Sequence, residues 1–312
     1  MNSLIKIQDC SVQGGTKKYL DRVDWCMNAG EAWLVIGPNG GGKADFIKAL
    51  SGSMQFVPNI RPANEINGGS EAPLYSSRYS DSVAVVSLEA AASLIEEERE
   101  RDESEYMDKE DAGRTGRQYI CEVLGGSSKK NAPLPPIAAR LETMPQVKLC
   151  GIEKILDRGL RYMSTGEIRR TLLCRALLSG AGLLVLSDPF AGLDATSRAI
   201  LLEFFDSIVR RQLDSSSEDS GFPRIILSME RFHEIPSAIN RVIEFSNKKI
   251  SFEGSREEYE NVLAQRQAAS EKEREVQKAA FRSELDKIRA ESERISGCKV
   301  SKQTCGQQPL PR

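Results

Sequence analysis

The feature that most constrains this chain is a glycine-rich loop that follows a short apolar run and precedes a helical pattern. The stretch VIGPNGGGKADFIKAL, residues 35–50, matches the pattern G-x-x-x-x-G-K of phosphate-binding loops at Gly37, Gly42 and Lys43. In such loops the backbone N–H groups and the lysine bind phosphate oxygens, and a serine or threonine after the lysine binds Mg²⁺. This chain has Ala44 at that position. The loop therefore predicts phosphate binding without the hydroxyl that holds the metal ion.

The segments on either side of the loop support this interpretation. EAWLVIG before it has the apolar character of a strand, and ADFIKALSG after it predicts a helix that ends near Gly52. A strand, a glycine loop and a helix in that order form the context in which a loop motif becomes a credible phosphate site. The candidate nucleotide-binding residues of the loop are Gly37, Pro38, Asn39, Gly40, Gly41, Gly42, Lys43, Ala44 and Asp45.

Apolar runs and helical patterns alternate along the rest of the chain. The runs SVAVVSL, GLLVLSD, RIILSM and RVIEFS predict strands, and GLLVLSD is typical of a buried parallel strand because its apolar residues are continuous. The N-terminal SLIKIQDCSVQ alternates apolar and polar residues, which predicts a strand with a solvated face. We expect an α/β fold with a parallel-rich core sheet, an antiparallel β edge and a helical subdomain.

The same patterns divide the chain into three parts. Residues 1–254 are predicted to form one domain, with the helical subdomain at about 89–180 and a surface insertion at 53–80 that is rich in Ser, Asn, Gly and Pro. Residues 255–296 hold many charges and helix formers, which predicts a solvent-exposed helix. Its apolar positions keep no heptad over three or more repeats, so a coiled coil is a minor possibility. Residues 297–312 are expected to be a disordered tail.

Composition argues against several classes of function. A net charge of −2 across 312 residues disfavours a general nucleic-acid surface, which usually requires a strongly basic stripe. The seven cysteines include no C-x-x-C pair, which argues against a zinc or thioredoxin-like site and is typical of a reducing compartment. No apolar run approaches the roughly 20 residues of a membrane helix, and no signal-peptide region begins the chain. We expect a soluble, cytoplasmic protein, with an organellar location as the alternative.

Two further motifs lie downstream of the loop. In YMSTGEIRRTLLCRALL, a turn formed by Ser164, Gly166 and Glu167 stands at the start of a predicted helix, where unpaired N–H groups and the helix dipole favour an anion. In LLVLSDPFAGLD, an apolar strand ends at Ser187 and Asp188, and a Leu-Asp pair follows. Together with the glycine loop, these segments strengthen the prediction of a nucleotide site.

In this order and at these distances, the three motifs resemble those of the ATP-binding cassette (ABC) family. GPNGGGK is similar to its Walker A loop, MSTGE to its signature motif, and SDPFAGLD to the end of its Walker B strand and its D-loop. The resemblance covers about residues 3–254 and looks closest to the tandem cassettes of the molybdate and photorepair group. It implies a P-loop NTPase fold of the ABC type, with ATP bound between two cassettes. The partner is expected to be a second ABC cassette, in trans or in a following C-terminal half.

The resemblance also implies which catalytic groups are lost. Ser187 stands where the family has the Asp that holds Mg²⁺, so it is the remaining metal candidate. Asp188 stands where the family has the catalytic Glu, and Glu230 stands where it has the switch His, which makes these two the catalytic candidates. Together with Ala44, these substitutions predict weak or partner-dependent Mg²⁺ binding and slow hydrolysis at the chain's own site.

The face that the family offers to a partner cassette is retained. Ser164, Gly166 and Glu167 of the signature and Asp194 of the D-loop are all present. We therefore predict a cassette that binds ATP, is degenerate at its own hydrolytic site and completes the site of a partner. Two alternatives stay open: a non-catalytic regulatory or scaffolding half, and an active ATPase that uses Asp188 as its sole acid.

Overall fold

The computed structural model describes residues 3–59, 74–101, 113–127, 133–190, 195–214, 223–233 and 235–300. The chain divides into two units, Met1–Arg256 and Glu257–Arg312. The strands of the first unit are, in chain order, β1 (Ser3–Gly14), β2 (Lys17–Asn28), β3 (Trp33–Ile36), β4 (Gln55–Pro58), β5 (Leu74–Ser77), β6 (Val83–Val86), β7 (Leu183–Ser187), β8 (Arg224–Met229), β9 (Arg241–Ser246) and β10 (Lys249–Ser255).

The helices are α1 (Lys43–Leu50), α2 (Leu88–Glu100), α3 (Gly116–Cys121), α4 (Pro145–Cys150), α5 (Thr165–Leu178), α6 (Ala195–Asp214) and α7 (Arg256–Val300). Short 3-10 helices follow α3 at Glu122–Leu124, precede α4 at Pro136–Thr143 and precede α5 at Glu153–Ile155 and Leu160–Tyr162. Within the described residues, no helix is long and apolar enough to cross a membrane.

The central sheet has the strand order β10-β9-β3-β8-β7-β6. Strands β9, β3, β8, β7 and β6 run parallel, and β10 pairs antiparallel with β9 at one edge. Every residue of β3 and the first four residues of β7 are buried, as expected of parallel strands that are covered on both faces. The predicted α/β fold is confirmed, and the loops after β3, β7 and β8 meet at the same edge of the sheet.

A second, antiparallel sheet contains β2, β1, β4 and β5. Strand β1 pairs with β2 on one side, and on its other side it pairs with β4 and then with β5. The prediction that 53–80 is a surface insertion is therefore wrong at both ends of that range. The sequences QFVP and LYSS carry no clear strand pattern, because each strand is four residues long and their exposed residues include Pro58 and Leu74, which break a polar–apolar alternation.

Four aromatic side chains connect the sheets to the helix that follows the glycine loop. The ring centroid of Trp25 lies 5.3 Å from those of Trp33 and Phe46, in edge-to-face contacts. Phe46 also lies 5.0 Å from Phe245, and all four side chains are buried. Because Phe46 belongs to α1, this cluster fixes the position of that helix and of the loop that leads into it.

The helices between β6 and β7 are held by a buried ion cluster. The Arg114 guanidinium donates hydrogen bonds to Glu98 at 2.6 Å and to Glu122 at 2.7 Å. Arg175 of α5 donates to the second oxygen of Glu122 at 2.6 Å. Both guanidinium groups also lie over the ring of Tyr119, at 5.2 and 4.0 Å from its centroid. These contacts connect α2 and α3 to α5, the helix that begins with the signature motif.

Helix α7 lies mostly in the second unit. It begins two residues after the predicted domain end at 254 and continues to Val300, past the predicted end at 296. Side chains 264–294 are all exposed. Residues 301–312, which hold most of the predicted tail, lie outside the described residues.

Candidate nucleotide-binding site

The glycine loop connects β3 to α1 at the edge where the parallel strands end. Gly37 and Gly42 have φ angles of +153° and +112°, in the region that favours glycine. Side chains do not fit at these positions. A Cβ atom on Gly37 would lie 2.3 Å from the carbonyl oxygen of Phe245, and one on Gly42 would lie 2.8 Å from Leu20. The path of the loop therefore requires glycine at both positions. Because glycine has no side chain, the loop backbone is not covered by one at Gly37 or Gly42.

The first turn of α1 has no side-chain cap. Gly42 occupies the N-cap position and has no side chain that could accept a hydrogen bond. The N–H of Gly41 donates to the carbonyl of Pro38 at 3.1 Å, and the N–H of Phe46 donates to the carbonyl of Gly42 at 3.0 Å. The N–H groups at the start of a helix, before the first intrahelical hydrogen bond, have no acceptor within it. Together with the helix dipole they favour a phosphate group at this end.

The ammonium group of Lys43 is buried beside one carboxylate. Its side chain is 7% exposed, and its Nζ atom makes no hydrogen bond within the described residues. The Oδ2 atom of Asp188 lies 3.9 Å from Nζ. A buried ammonium group without hydrogen bonds is costly unless a ligand satisfies it. Lys43 and the glycine loop therefore fit the phosphate groups of a nucleotide.

Asp188 is held by the backbone of the strand next to it. Its N–H donates to the carbonyl of Ser228 at 2.7 Å, and its Oδ1 atom accepts a hydrogen bond from the N–H of Glu230 at 3.1 Å. Its φ of +46° is left-handed, a conformation that Asp tolerates better than most residues. The two catalytic candidates thus lie together with Lys43. Glu230 contributes its backbone N–H, whereas the residue itself is exposed.

Few side-chain oxygens are available to Mg²⁺ beside the glycine loop. Ser187 ends β7 and lines a cavity together with Arg169, whose Nε atom is buried without a hydrogen-bond partner in the described part of the chain. Burial lowers the pKa of this guanidinium, because water stabilises its charge better than the protein does. In the described ranges, no group of three or more His, Cys, Asp and Glu side chains could hold a metal ion. Mg²⁺ at nucleotide sites usually takes one or two protein oxygens together with waters and substrate phosphates, so the missing hydroxyl at Ala44 leaves Ser187 and Asp188 as the remaining protein candidates.

A hairpin turn supports the glycine loop from the side of β9. The turn between β9 and β10 contains Asn247 and Lys248, whose φ angles are +50° and +60°. Two-residue turns with both angles positive prefer Asn-Gly, because a β-carbon is strained at the second position. The N–H of Lys248 donates to the carbonyl of Gly41 at 2.8 Å, and its Cα would lie 3.2 Å from a Cβ on Gly42. A strained lysine therefore stands directly beside the glycine loop.

The signature residues cap their own helix. The Oγ atom of Ser164 accepts a hydrogen bond from the N–H of Glu167 at 3.3 Å, and Oε2 of Glu167 accepts one from the N–H of Ser164 at 2.8 Å. Arg158 donates to the other oxygen of Glu167 at 2.8 Å. Burial raises the pKa of Glu167, but the Ser164 hydrogen bonds and the charge of Arg158 outweigh it, and the net pKa is lowered. Glu167 thus stays ionised, with its charge compensated in part by Arg158, and the exposed Ser164 hydroxyl can still donate.

The predicted site residues form two groups. The loop, Lys43, Asp188 and Glu230 make the first group, in which Asn39 and Ala44 are exposed and Asp45 is half-buried. The second group is Ser164, Gly166 and Glu167, in which Ser164 and Glu167 bond each other and Glu167 also accepts a hydrogen bond from Arg158. Asp194 lies outside the described residues.

Three residues near these groups were not predicted from the sequence. Lys248 could have been found from SNKK, a two-residue turn between the predicted strand RVIEFS and KISFE, which alternates polar and apolar residues. Arg158 and Arg169 had no sequence signal, because irregular or helical positions rich in arginine are usually solvated. Their roles depend on which carboxylate or cavity the fold places beside them.

Comparison with known proteins identifies related sequences. A family model described as ABC transporter matches residues 20–191. The chain is 30% identical to the ABC transporter ATP-binding protein ModF of Escherichia coli (strain K12), over 74% of this chain and 40% of ModF. It is 26% identical to an uncharacterized ABC transporter ATP-binding protein of Schizosaccharomyces pombe, over 83% of this chain and 48% of that protein. The chain therefore spans less than half the length of these two relatives.

A solved structure shows the same fold. The protein MJ1267, an ATP-binding cassette of an ABC transporter, superposes with a TM-score of 0.58 and covers 86% of this chain and 98% of its own. The two chains are 17% identical. At this identity the likeness concerns the fold alone.

Proposed function

Because this chain belongs to the ABC transporter family and contains its ATP-binding cassette domain, we propose that it binds ATP at the glycine loop and completes the hydrolytic site of a second cassette. One observation carries the proposal of ATP binding. Lys43 is a buried ammonium group with no hydrogen-bond partner in the described residues, beside a helix start that has no side-chain cap. Both features are satisfied by the phosphate groups of ATP.

We propose further that the chain's own site hydrolyses ATP slowly. Phosphoryl transfer depends on charge neutralisation, which Mg²⁺ supplies in most members of the family. Here Ala44 has no hydroxyl, and Arg169 places a positive charge on the cavity wall next to Ser187. Asp188 is one methylene shorter than the family's Glu, and a displacement of about 1 Å at a reacting group can cost on the order of 10²-fold in rate. The carboxylate is also engaged by the Glu230 N–H.

The face offered to a partner supports the second half of the proposal. Ser164 and Gly166 begin a helix of 14 residues, and Ser164 is exposed. Its hydroxyl and the N–H groups of the first turn are donors for the γ-phosphate of an ATP held by another cassette. Arg158 compensates in part for the charge of Glu167, so that the negative charge in this turn opposes the phosphate less.

We propose a cytoplasmic location and a partner that is a second ABC cassette, either a separate chain or another part of a longer polypeptide. The match leaves 60% of ModF and 52% of the Schizosaccharomyces pombe protein uncovered, since the covered shares are 40% and 48%. These uncovered lengths are sufficient for a second cassette in each relative.

A non-catalytic regulatory or scaffolding half is the alternative, and one observation favours it. Ser164 and Glu167 already satisfy each other through a capping box. A helix start that caps itself has fewer donors for a phosphate than the uncapped start of α1. In this alternative, nucleotide binding at Lys43 would order an interface without any transfer of phosphate by the pair.

The first expected result concerns ATP affinity. A fluorescent ATP analogue is expected to bind the full chain with an affinity that changes by less than about tenfold between Mg²⁺ and EDTA, because Ala44 has no hydroxyl and Ser187 replaces a carboxylate. Lys43→Ala should weaken binding by about 10- to 100-fold, since a charge-assisted hydrogen bond contributes ~1.5–3 kcal/mol. Titration by fluorescence anisotropy measures both effects.

The matched control for this titration is Lys48→Ala. Lys48 is an exposed lysine of the same helix, so its loss removes one charge without removing the loop's ammonium group. A large requirement for Mg²⁺ would contradict the interpretation of Ala44 and Ser187. Equal losses from Lys43→Ala and Lys48→Ala would contradict the phosphate role of Lys43.

We also propose that Lys248 adds a second positive charge beside the bound phosphates, which would compensate in part for weak Mg²⁺ binding. Lys248→Gly should relieve the strain of a left-handed lysine, roughly 1 kcal/mol, and raise the melting temperature by about 2–4 °C. The same change should lower ATP affinity in EDTA several-fold, because it removes the positive charge of a residue whose backbone contacts the glycine loop. Thermal unfolding and the same anisotropy titration measure the two effects.

Lys248→Arg is the control, since it keeps both the charge and the strain. It should leave the melting temperature and the ATP affinity close to those of the native chain. A variant Lys248→Gly that melts higher and binds ATP unchanged would show that Lys248 has no part in binding.

A further inference from the structure

The second half of α7 presents large apolar side chains to solvent. Phe281, Leu285 and Ile288 are 63%, 49% and 61% exposed. Single exposed apolar residues are common on protein surfaces, but several on one helix face indicate a surface that binds something. The feature lies in a helix that the nucleotide site does not use.

These residues follow the spacing of a coiled-coil seam. Leu285 follows Phe281 by four residues, Ile288 follows Leu285 by three, and Ser292 follows Ile288 by four. In the sequence, Ile295 continues this spacing. This places Leu285 and Ser292 at a positions and Phe281 and Ile288 at d positions. Leu285, Ile288 and Ser292 also line one shallow groove. The seam covers two heptads, which agrees with the finding from the sequence that no heptad pattern extends over three or more repeats.

The charges beside the seam are self-complementary in one orientation. Arg282 and Arg289 occupy e positions, and Glu284 and Glu291 occupy g positions. In a parallel pair, Glu284 of one helix faces Arg289 of the other, and the symmetric contact repeats this. In an antiparallel pair, e positions face each other and g positions face each other, so Arg would meet Arg and Glu would meet Glu. The charge pattern therefore favours copies of the same helix running in the same direction.

We propose that Phe281, Leu285, Ile288 and Ser292 bind the same residues of a second copy of this chain, as a short, parallel, in-register coiled coil. The polar Ser292 at an a position and the length of two heptads make this contact weak. The two arginines at e positions and the two glutamates at g positions balance, so this face has no net positive charge that would favour an anionic membrane or a nucleic acid as the occupant. The contact is independent of the proposed ATP site.

Disulfide trapping of the full chain tests this proposal. Ser292→Cys is introduced in a background with Cys298→Ser and Cys305→Ser, and the protein is oxidised with oxidised glutathione without ATP. In a parallel, in-register pair an a position faces itself, so Ser292→Cys should yield a covalent dimer. The control Ala290→Cys lies at an f position, on the outer side of the helix, and should form the dimer at least several-fold more slowly. Gels without reducing agent measure both rates.

Two further variants examine the seam itself. Leu285→Glu should slow trapping of Ser292→Cys several-fold, and because Leu285 is exposed, this change leaves the cassette folded. Arg289→Glu should also slow it, and adding Glu284→Arg to that variant should restore it, since the charge pair is then reversed. Equal rates for Ser292→Cys and Ala290→Cys, or no effect of Leu285→Glu, would overturn the proposal. Trapping by the Lys43→Ala variant at the native rate distinguishes this contact from an ATP-dependent cassette pair.

Discussion

Restoring three positions together, Ala44→Ser, Ser187→Asp and Asp188→Glu, is expected to raise Mg²⁺-dependent ATP turnover by on the order of 10²-fold over the native chain. The serine hydroxyl and the new aspartate supply the missing oxygen ligands, and the longer carboxylate reaches the attacking water. Ligands of one ion are coupled, so the triple variant should gain more Mg²⁺-dependent affinity than the single variants combined. Phosphate release and ATP titration, each with Mg²⁺ and with EDTA, measure the two gains.

The structure adds two controls to this experiment. Asp188 has a φ of +46°, which Glu tolerates less well, so the double variant Ala44→Ser with Ser187→Asp tests the metal ligands without added strain. Arg169 lines the cavity of Ser187, and Arg169→Gln in the triple variant should strengthen Mg²⁺ binding further by removing a positive charge. Small and purely additive gains would contradict a site that lacks only these groups.

Ser164→Arg is expected to abolish the ability of the chain to complete a partner's site, by placing bulk and charge where the γ-phosphate approaches. The repaired triple variant can serve as a partner of known sequence. With Ser164→Arg added, the triple variant keeps the restored residues beside its glycine loop but loses the serine of its signature motif. The Lys43→Ala chain keeps its signature and loses much of its own ATP binding. A mixture of the two chains should hydrolyse ATP on the order of 10²-fold faster than either chain alone. Only the mixed pair combines a repaired glycine-loop side with an intact signature motif at one ATP site.

Ser179→Arg is the matched control for this complementation. It places the same side chain at the opposite, C-terminal end of α5, where a positive charge suits the helix dipole. The Lys43→Ala chain with Ser179→Arg should still complement, whereas with Ser164→Arg it should not. If Ser164→Arg had no effect, and Lys43→Ala stopped turnover by every pair, the proposal that this chain completes the site of a second cassette would be wrong. A repaired chain that binds ATP with Mg²⁺ but never turns it over would favour the regulatory alternative.

Local sequence patterns were sufficient to predict the central sheet and the glycine loop. Continuous apolar runs such as GLLVLSD indicate buried parallel strands, because both faces of such strands are covered. The loop was predictable because its glycines, Lys43 and the adjacent strand and helix are contiguous, so one short stretch carries the whole motif. The two short strands β4 and β5 were missed because four residues with a solvated face carry too little pattern.

The sequence alone predicted the kind of phosphate site and the groups that it lacks, since Ala44 and Ser187 stand at fixed positions of contiguous motifs. The surroundings of that site were decided by the tertiary structure. Asp188 and Glu230 are 42 residues apart, and the hydrogen bond between them exists because the parallel sheet brings the ends of β7 and β8 together. Lys248 reaches the glycine loop through the hairpin of β9 and β10, because β9 pairs with β3. Such contacts depend on which strands lie side by side, and no local pattern encodes that choice.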